Sequence, residues 1–289
     1  MKSKVIVFGA TSFIGSYLLV KNKTWNGTIS KKFRKYYDTL KKKRIEEVKN
    51  KLITFDFLTK NTLNNIKKFD ILINCIGFTK NFEKKNFNIN KEKKKFHLYL
   101  EILKKIIKKN NVKLIIHIGS NYEYGNSNKI NNENSKCNPI TKYGMYKLYE
   151  FNKLKKVLPE KCKLINIRCF SIFGKNNKIN SLIEQIKMKE SLMIKNPNQQ
   201  INIISICYLN NLIKKIIKCY KKLKNTEIIN FCSTKPLIIK SIFKMIKIEK
   251  KVFFGKNSGN NILGSNDKMK KYINYKDKAN LTKLKNYLN

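Results

Sequence analysis

The 289-residue chain is 42% hydrophobic with 17 phenylalanines, enough to build a sizeable core and too much for a disordered tail. Its net charge of +46 raises nucleic acid as a ligand, but only Arg34, Arg44 and Arg168 of its 64 basic residues are arginine, and the lysines run along the whole chain. No apolar run reaches the ~18 to 20 residues of a membrane span, and the first apolar run is too short for a signal-peptide core, so a cytoplasmic protein with no specific nucleic-acid role is expected.

In chain order, Val5 to Phe8 is predicted as the first strand, and Phe13 to Val20 opens the helix after it. Trp25 to Ser30 reads as a second strand, Leu52 to Phe55 as a third, and Ile71 to Cys75 as a fourth, closed by Gly77. An amphipathic helix is expected over Phe87 to Lys109, a strand over Leu114 to Ile118, a helix over Tyr143 to Val157, and a strand over Leu164 to Cys169. Continuous apolar runs alternating with helices imply an α/β fold, a doubly wound parallel sheet of Rossmann type covered on both faces. After Gly174 the pattern loosens. Residues 176–182, 190–206 and 249–264 are expected to be loop-rich, with shorter helices over Leu209 to Leu223 and Leu237 to Ile246. The expected division is a nucleotide-binding domain over 1–174 and a smaller substrate lobe over 175–289.

The first strand runs directly into Gly9-Ala10-Thr11-Ser12-Phe13-Ile14-Gly15. There Gly9 permits the tight turn, small residues let backbone N–H groups approach phosphate oxygens, and Gly15 allows close helix–sheet packing. This is the usual grip on a dinucleotide pyrophosphate; a tight turn without ligand is the plain alternative. No carboxylate ends the second strand. The sequence instead reads Ser30-Lys31-Lys32-Phe33-Arg34, and cations there suit a 2′-phosphate, which favours NADP with NAD as the alternative. Asp56, just past the third strand, is either a partner for the adenine amino group or an ordinary turn aspartate.

Tyr143 and Lys147 are four apart on one predicted helix face, where an ammonium can stabilise a phenolate and make the tyrosine a usable acid or base. Ser120, at the end of the strand before that helix, could hydrogen-bond the reacting oxygen. Tyr-x-x-x-Lys begins at six tyrosines: Tyr17, Tyr37, Tyr143, Tyr149, Tyr220 and Tyr272. Context alone selects Tyr143, and Tyr149 with Lys153 is read as structural.

These segments resemble the extended short-chain dehydrogenase/reductase superfamily, specifically its NAD(P)-dependent epimerase/dehydratase family acting on nucleotide sugars. The resemblance runs through the Gly9 to Gly15 loop, Phe69 to Gly77, Asn90, Ser120-Asn121-Tyr122-Glu123-Tyr124-Gly125, Arg168 to Gly174 and Ile229 to Ser233. It implies Tyr143 as acid/base, Lys147 as the holder of the nicotinamide ribose, and Ser120 as the orienter of the substrate oxygen. It also implies that Phe57, Cys75, Gly77 and Cys169 line the dinucleotide with Thr11, Ser12, Phe13, Ile14, Ser30 and Arg34. Dimerisation through helices flanking the sheet is common in that family. Two departures stand out: Ser12 replaces the usual middle glycine, and residues 200–212 lack the Arg-Asp and Asp-Asp pairs usual there.

The implied activity is reduction of a 4-keto nucleotide sugar with Tyr143 as proton donor; the alternative is an NAD-dependent epimerase, and a binding protein on the same fold is the reading from another class. A dehydratase needs a further acid/base pair, for which only Glu123 is at hand. Seven cysteines, odd in number and without a C-x-x-C pair, together with two histidines, argue against disulfides and a metal site. Reduced, mostly buried thiols are expected.

Overall fold

The computed structural model describes residues 3–30, 39–55, 66, 68–77, 88–127, 129–178, 181–245, 251–256 and 261–289. The chain forms two compact units: the first from 1–119, 145–167 and 217–228, the second from 120–144, 168–216 and 229–289.

The first unit is built on a seven-stranded parallel sheet. Its strands, numbered here along the chain, are β1 (Val5–Phe8), β2 (Asn26–Ile29), β3 (Leu52–Thr54), β4 (Ile71–Asn74), β5 (Leu114–Ser120), β6 (Lys163–Cys169) and β7 (Thr226–Phe231). Their spatial order is β7-β6-β5-β4-β1-β2-β3. The register pairs Val5 with Ile71 and Ile6 with Asn26. The order reverses at β1, so the crevice beyond the carboxyl ends of β1 and β4 is where such sheets take ligands. Every residue of β1 and β4 is buried, which explains the apolar runs Val5–Phe8 and Ile71–Ile73.

The helices of this unit are α1 (Phe13–Lys21), α2 (Thr39–Glu46), α3 (Ile89–Asn110) and, from its fourth residue onward, α4 (Lys142–Val157). Asn88 caps α3 by accepting from the N–H groups of Asn90 and Lys91, and Asn111 ends it in the left-handed region at φ 52°. Between these caps Phe96, Tyr99, Leu100, Leu103, Ile106 and Ile107 form one buried stripe in the core with Phe8, Leu72, Ile115 and Leu164. Six such side chains contribute on the order of 10–15 kcal/mol of burial, which fixes α3 against the sheet. The helix begins after Phe87, which lies outside the described residues.

The second unit replaces one large sheet by four two-stranded ones. Ser171–Phe173 pairs with Ile203–Ser205, Ser191–Ile194 with Lys251–Phe254, Ile130–Asn131 with Leu263–Gly264, and Gln200–Ile201 with Leu237–Ile238. Strands this short leave backbone groups in need of partners, and asparagine supplies a donor and an acceptor together. Asn202 donates to the Ser233 carbonyl and accepts from Gly264 N–H; Asn280 donates to the Ile203 carbonyl and accepts from Ser205 N–H. Phe173, Ile186, Ile203, Ile242 and Leu284 sit in its apolar core.

Sequence expectation departs from structure chiefly here. The segment 190–206 holds three strands, and the helix expected over Leu237 to Ile246 shrinks to Ile239–Phe243 because Leu237 and Ile238 pair with Gln200–Ile201. Strands of two to four residues are too short to display a period. All seven cysteines are free thiols, but only Cys162, Cys169 and Cys232 are buried, fewer than expected. Among the described residues no helix is long and apolar enough to cross a membrane.

Candidate active site

In the first unit the turn after β1 is built as the glycine spacing requires. Gly9 has φ +84°, and a Cβ there would lie 2.8 Å from the carbonyl carbon and oxygen of Cys75. A Cβ on Gly15 would fall on the Gly9 carbonyl oxygen, so only glycine lets α1 start this close to the strand. Ser12, where the family more often has glycine, is the N-cap of α1: its Oγ accepts from Gly15 N–H at 3.0 Å. That hydroxyl occupies one free donor of the helix start, and Phe13 and Ile14 carry the earlier N–H groups that an anion would meet. No acidic residue lies in the first turn of α1. Sequence reasoning missed Arg44, a buried residue of α2 whose Nη1 donates to the Thr11 carbonyl at 3.1 Å and steadies the turn.

Cys75 directly follows β4, its backbone against this turn, with Gly77 two residues on. The residue is half-buried overall but its sulfur is enclosed, and burial pushes the thiol up to about 12, opposed by Lys147 and by a hydrogen bond with Ser12. It is a neutral lining group. Ser30 follows β2 directly, while Arg34, Asp56 and Phe57 lie outside the described residues.

Lys147, on α4, is buried, and its Nζ donates to the Ile118 carbonyl at 3.1 Å and to Glu150 Oε2 at 2.7 Å. Glu150 is completely buried, one helical turn further along α4. The same Oε2 lies 3.8 Å from Nε2 of His117, a fully buried residue of β5. The adjoining hydrogen bonds determine the histidine's state. Asn74 Oδ1 accepts from Tyr99 O–H and from Ile76 N–H, so its amide nitrogen is what faces His117 Nδ1 at 3.1 Å. Nδ1 therefore accepts, the ring proton sits on Nε2, and burial with the Lys147 charge holds the imidazole well below its ordinary range, hence neutral. None of Asn74, His117 or Glu150 was singled out from sequence for this role; the only signal was Glu150 three residues beyond Lys147, on the same helix face.

In the second unit Ser120, the last residue of β5, caps a 3-10 turn over Asn121–Glu123. Its Oγ accepts from Tyr122 N–H at 3.2 Å, and its own N–H donates to Glu123 Oε1 at 2.9 Å. Glu123 Oε2 accepts from Arg168 Nε at 2.9 Å, and the guanidinium stacks on Tyr124 with its carbon 4.4 Å from the ring centroid. Both carboxylate oxygens are engaged, so Glu123 serves the architecture of the turn and is not placed for dehydratase chemistry. Tyr143, near the start of α4, meets Tyr122 edge to face at 5.7 Å between ring centroids. Gly144 keeps this approach open, since a Cβ there would fall on the Tyr122 carbonyl. Ser120 and Tyr143 thus share one neighbour, Tyr122. Cys169 closes β6 and is buried. Tyr149 hydrogen-bonds His97 Nε2 at 2.5 Å and packs on Phe96, in agreement with a structural role.

Comparison with known proteins assigns this arrangement to a class. The sequence profile of the NAD dependent epimerase/dehydratase family matches residues 5–231, and the chain belongs to that family. No curated protein sequence matches it. Among solved structures it is similar to the UDP-glucuronic acid 4-epimerase of Bacillus cereus, in complex with UDP-glucuronic acid and NAD (TM-score 0.76, 18% identity, covering 99% of this chain and 98% of that one). It is also similar to the UDP-N-acetylglucosamine 4-epimerase of Methanobrevibacter ruminantium M1 (TM-score 0.75, 19% identity, 100% and 97%). A third is the UDP-Glc/GlcNAc 4-epimerase of Campylobacter jejuni (TM-score 0.74, 16% identity, 99% and 98%).

Proposed function

We propose that the protein is an NAD-dependent 4-epimerase of a nucleotide sugar, with Ser120, Tyr143 and Lys147 as its proton-transfer residues. The observation that carries this reading is the buried, hydrogen-bonded lysine four residues after a helix-start tyrosine, in a chain similar over nearly its full length to 4-epimerases. The residues present fit a dinucleotide: the Gly9–Gly15 turn, where a Cβ at either glycine would strike backbone, brings the N–H groups at the start of α1 close to the end of β1. Phe13 and Ile14 would meet the pyrophosphate, Cys75 and Gly77 would flank the nicotinamide half, and Lys147 would hold its ribose. A bound NAD would supply the hydride acceptor for oxidation at carbon 4 of the sugar and the hydride donor for its reduction.

In this reading the Tyr143 phenolate takes the 4-hydroxyl proton as the C4–H hydride leaves, and gives it back when the hydride returns. Ser120 orients the oxygen at which the proton moves. Lys147 stabilises the phenolate that stands ready before the proton is taken and forms again once it is given back. The domain roles read from sequence, a nucleotide-binding part over 1–174 and a substrate lobe over 175–289, belong to the same proposal.

The cationic run Lys31 to Arg34 supports a second reading, an NADP-dependent 4-keto-sugar reductase. Mass spectrometry of nucleotide released from freshly purified protein, with turnover of UDP-N-acetylglucosamine and UDP-glucuronic acid followed alongside, separates the two. Retained NAD and C4 inversion without added cofactor are expected. Empty protein that binds NADPH more tightly than NADH overturns the epimerase reading in favour of the reductase.

A further inference from the structure

One strand pair of the second unit turns large apolar side chains outward. Ser191–Ile194 and Lys251–Phe254 run parallel, with Leu192 opposite Val252 and Met193 opposite Phe253. Along the first strand exposure alternates: Leu192 and Ile194 join the unit's apolar core, while Ser191 and Met193 face away from it. Register partners share a face, so Met193 at 60% exposure and Phe253 at 53% stand side by side, on strands about 4.8 Å apart. Phe254 points to the other side of the pair, where it meets Phe243 edge to face at 5.7 Å and is still half exposed. A single exposed apolar side chain is ordinary, but two paired across strands make a patch. The flanks are cationic. Residues 187–195 and 251–256 carry five lysines and one acid, Glu190. Lys189, Lys195, Lys251 and Lys256 are exposed, and Lys251, as the register partner of Ser191, shares the outer face with Phe253.

We propose that this strand pair is a membrane-docking face: Met193 and Phe253 enter the interface of an anionic lipid bilayer, and the lysines around them hold its headgroups. Charge selects the occupant. A second copy would bring the same lysines to the same face, and two chains of net charge +46 repel. Single-stranded nucleic acid matches the charge, but it is held by aromatic platforms and arginine, whereas this face pairs its phenylalanine with a methionine among lysines. A bilayer answers both features. Apolar side chains sink to the boundary of headgroups and acyl chains, while lysine stems carry their ammonium groups back to the phosphates. One weak signal gives marginal attachment, and apolar insertion combined with a basic patch gives a stable one. An extended negative plane also attracts lysines spread along the whole chain, which a small acidic partner cannot reach. The attachment is peripheral and needs no spanning helix; none is found among the described residues.

The test uses the full chain with Phe253→Trp and two kinds of vesicle, phosphatidylcholine alone or with roughly 30% phosphatidylserine, each also prepared with brominated acyl chains. The one native tryptophan, Trp25, is buried in the first unit, and the unmodified chain supplies its background. Co-sedimentation with the phosphatidylserine vesicles is expected, with a blue shift of the introduced indole and its quenching by bromine. Met193→Ser combined with Phe253→Ser should lower the partition coefficient by about tenfold or more. Binding without quenching, together with an unchanged coefficient in the serine variant, means that lysines alone hold the chain and overturns the proposal. Equal binding to both vesicles overturns it, as does binding to neither. A blue shift with polyglutamate or with single-stranded RNA, and none with vesicles, gives the face to an acidic protein or to nucleic acid and overturns it too. Should the serine variant fail to fold by circular dichroism, quenching in Phe253→Trp decides alone. Neither position belongs to the proposed active site, so the result stands whether or not the chain epimerises a sugar.

Discussion

Replacing Glu123 by glutamine tests whether this carboxylate is architecture or chemistry. Its Oε2 receives Arg168 Nε at 2.9 Å, and the two side chains are 0% and 2% exposed. Glutamine keeps the volume and can still accept from Ser120 N–H through its amide oxygen, but it leaves the guanidinium of Arg168 buried without a counter-charge. Breaking one side of a buried pair costs about 3–5 kcal/mol. At ~2–4 °C per kcal/mol for a chain of this size, the melting temperature should fall by about 6–20 °C. Pairing Glu123→Gln with Arg168→Met removes both charges, and much of the loss should return, because apolar packing replaces a desolvated pair at little cost. Thermal unfolding monitored by circular dichroism measures all three variants and the parent. If Glu123→Gln melts within about 2 °C of the parent yet abolishes turnover, less than ~1 kcal/mol is at stake and Glu123 acts on substrate, contrary to the reasoning here.

Other consequences are equally direct. Gly9→Ala combines a φ of +84° with a Cβ 2.8 Å from the Cys75 backbone, so a loss of about 2–4 kcal/mol in urea titration and greatly weakened NAD binding by calorimetry are expected. Tyr143→Phe should leave the fold intact by circular dichroism and lower kcat by roughly 10²–10⁴-fold in a steady-state assay. His117 is held neutral by burial, with its folded-state value depressed below that of the unfolded chain. The unfolded state therefore binds the extra proton first, and stability present above about pH 6.5 is lost as pH falls below it, at up to ~1.4 kcal/mol per pH unit. Urea titrations at pH 7.5 and 5.5 should show this slope, and His117→Gln should flatten it.

Much of the first unit was legible because its strands are buried on both faces. Val5–Phe8 and Ile71–Ile73 show as unbroken apolar runs, Leu114–Ile118 as one broken only by His117, and α3 shows its stripe from Phe96 to Ile107, about three turns. The glycine turn was legible for a steric reason, since both glycines stand where a Cβ would strike backbone. The second unit resisted such reading. Its strands are two to four residues long, and its segments are joined by asparagine side chains whose partners lie 31 to 77 positions away.

By itself the sequence determined the doubly wound class, the strand-to-helix glycine turn and the Tyr143–Lys147 spacing, all of which depend on neighbours within a few residues. Tertiary structure alone decided that Thr226–Phe231 supplies the sheet's edge strand, that Glu123 is spent on Arg168, and that Lys147 is paired with Glu150 beside a neutral His117. Composition cannot reveal such pairings. A lysine among so many others reads as a solvated charge until the fold removes water from around it, and only then does a single carboxylate at 2.7 Å govern its behaviour.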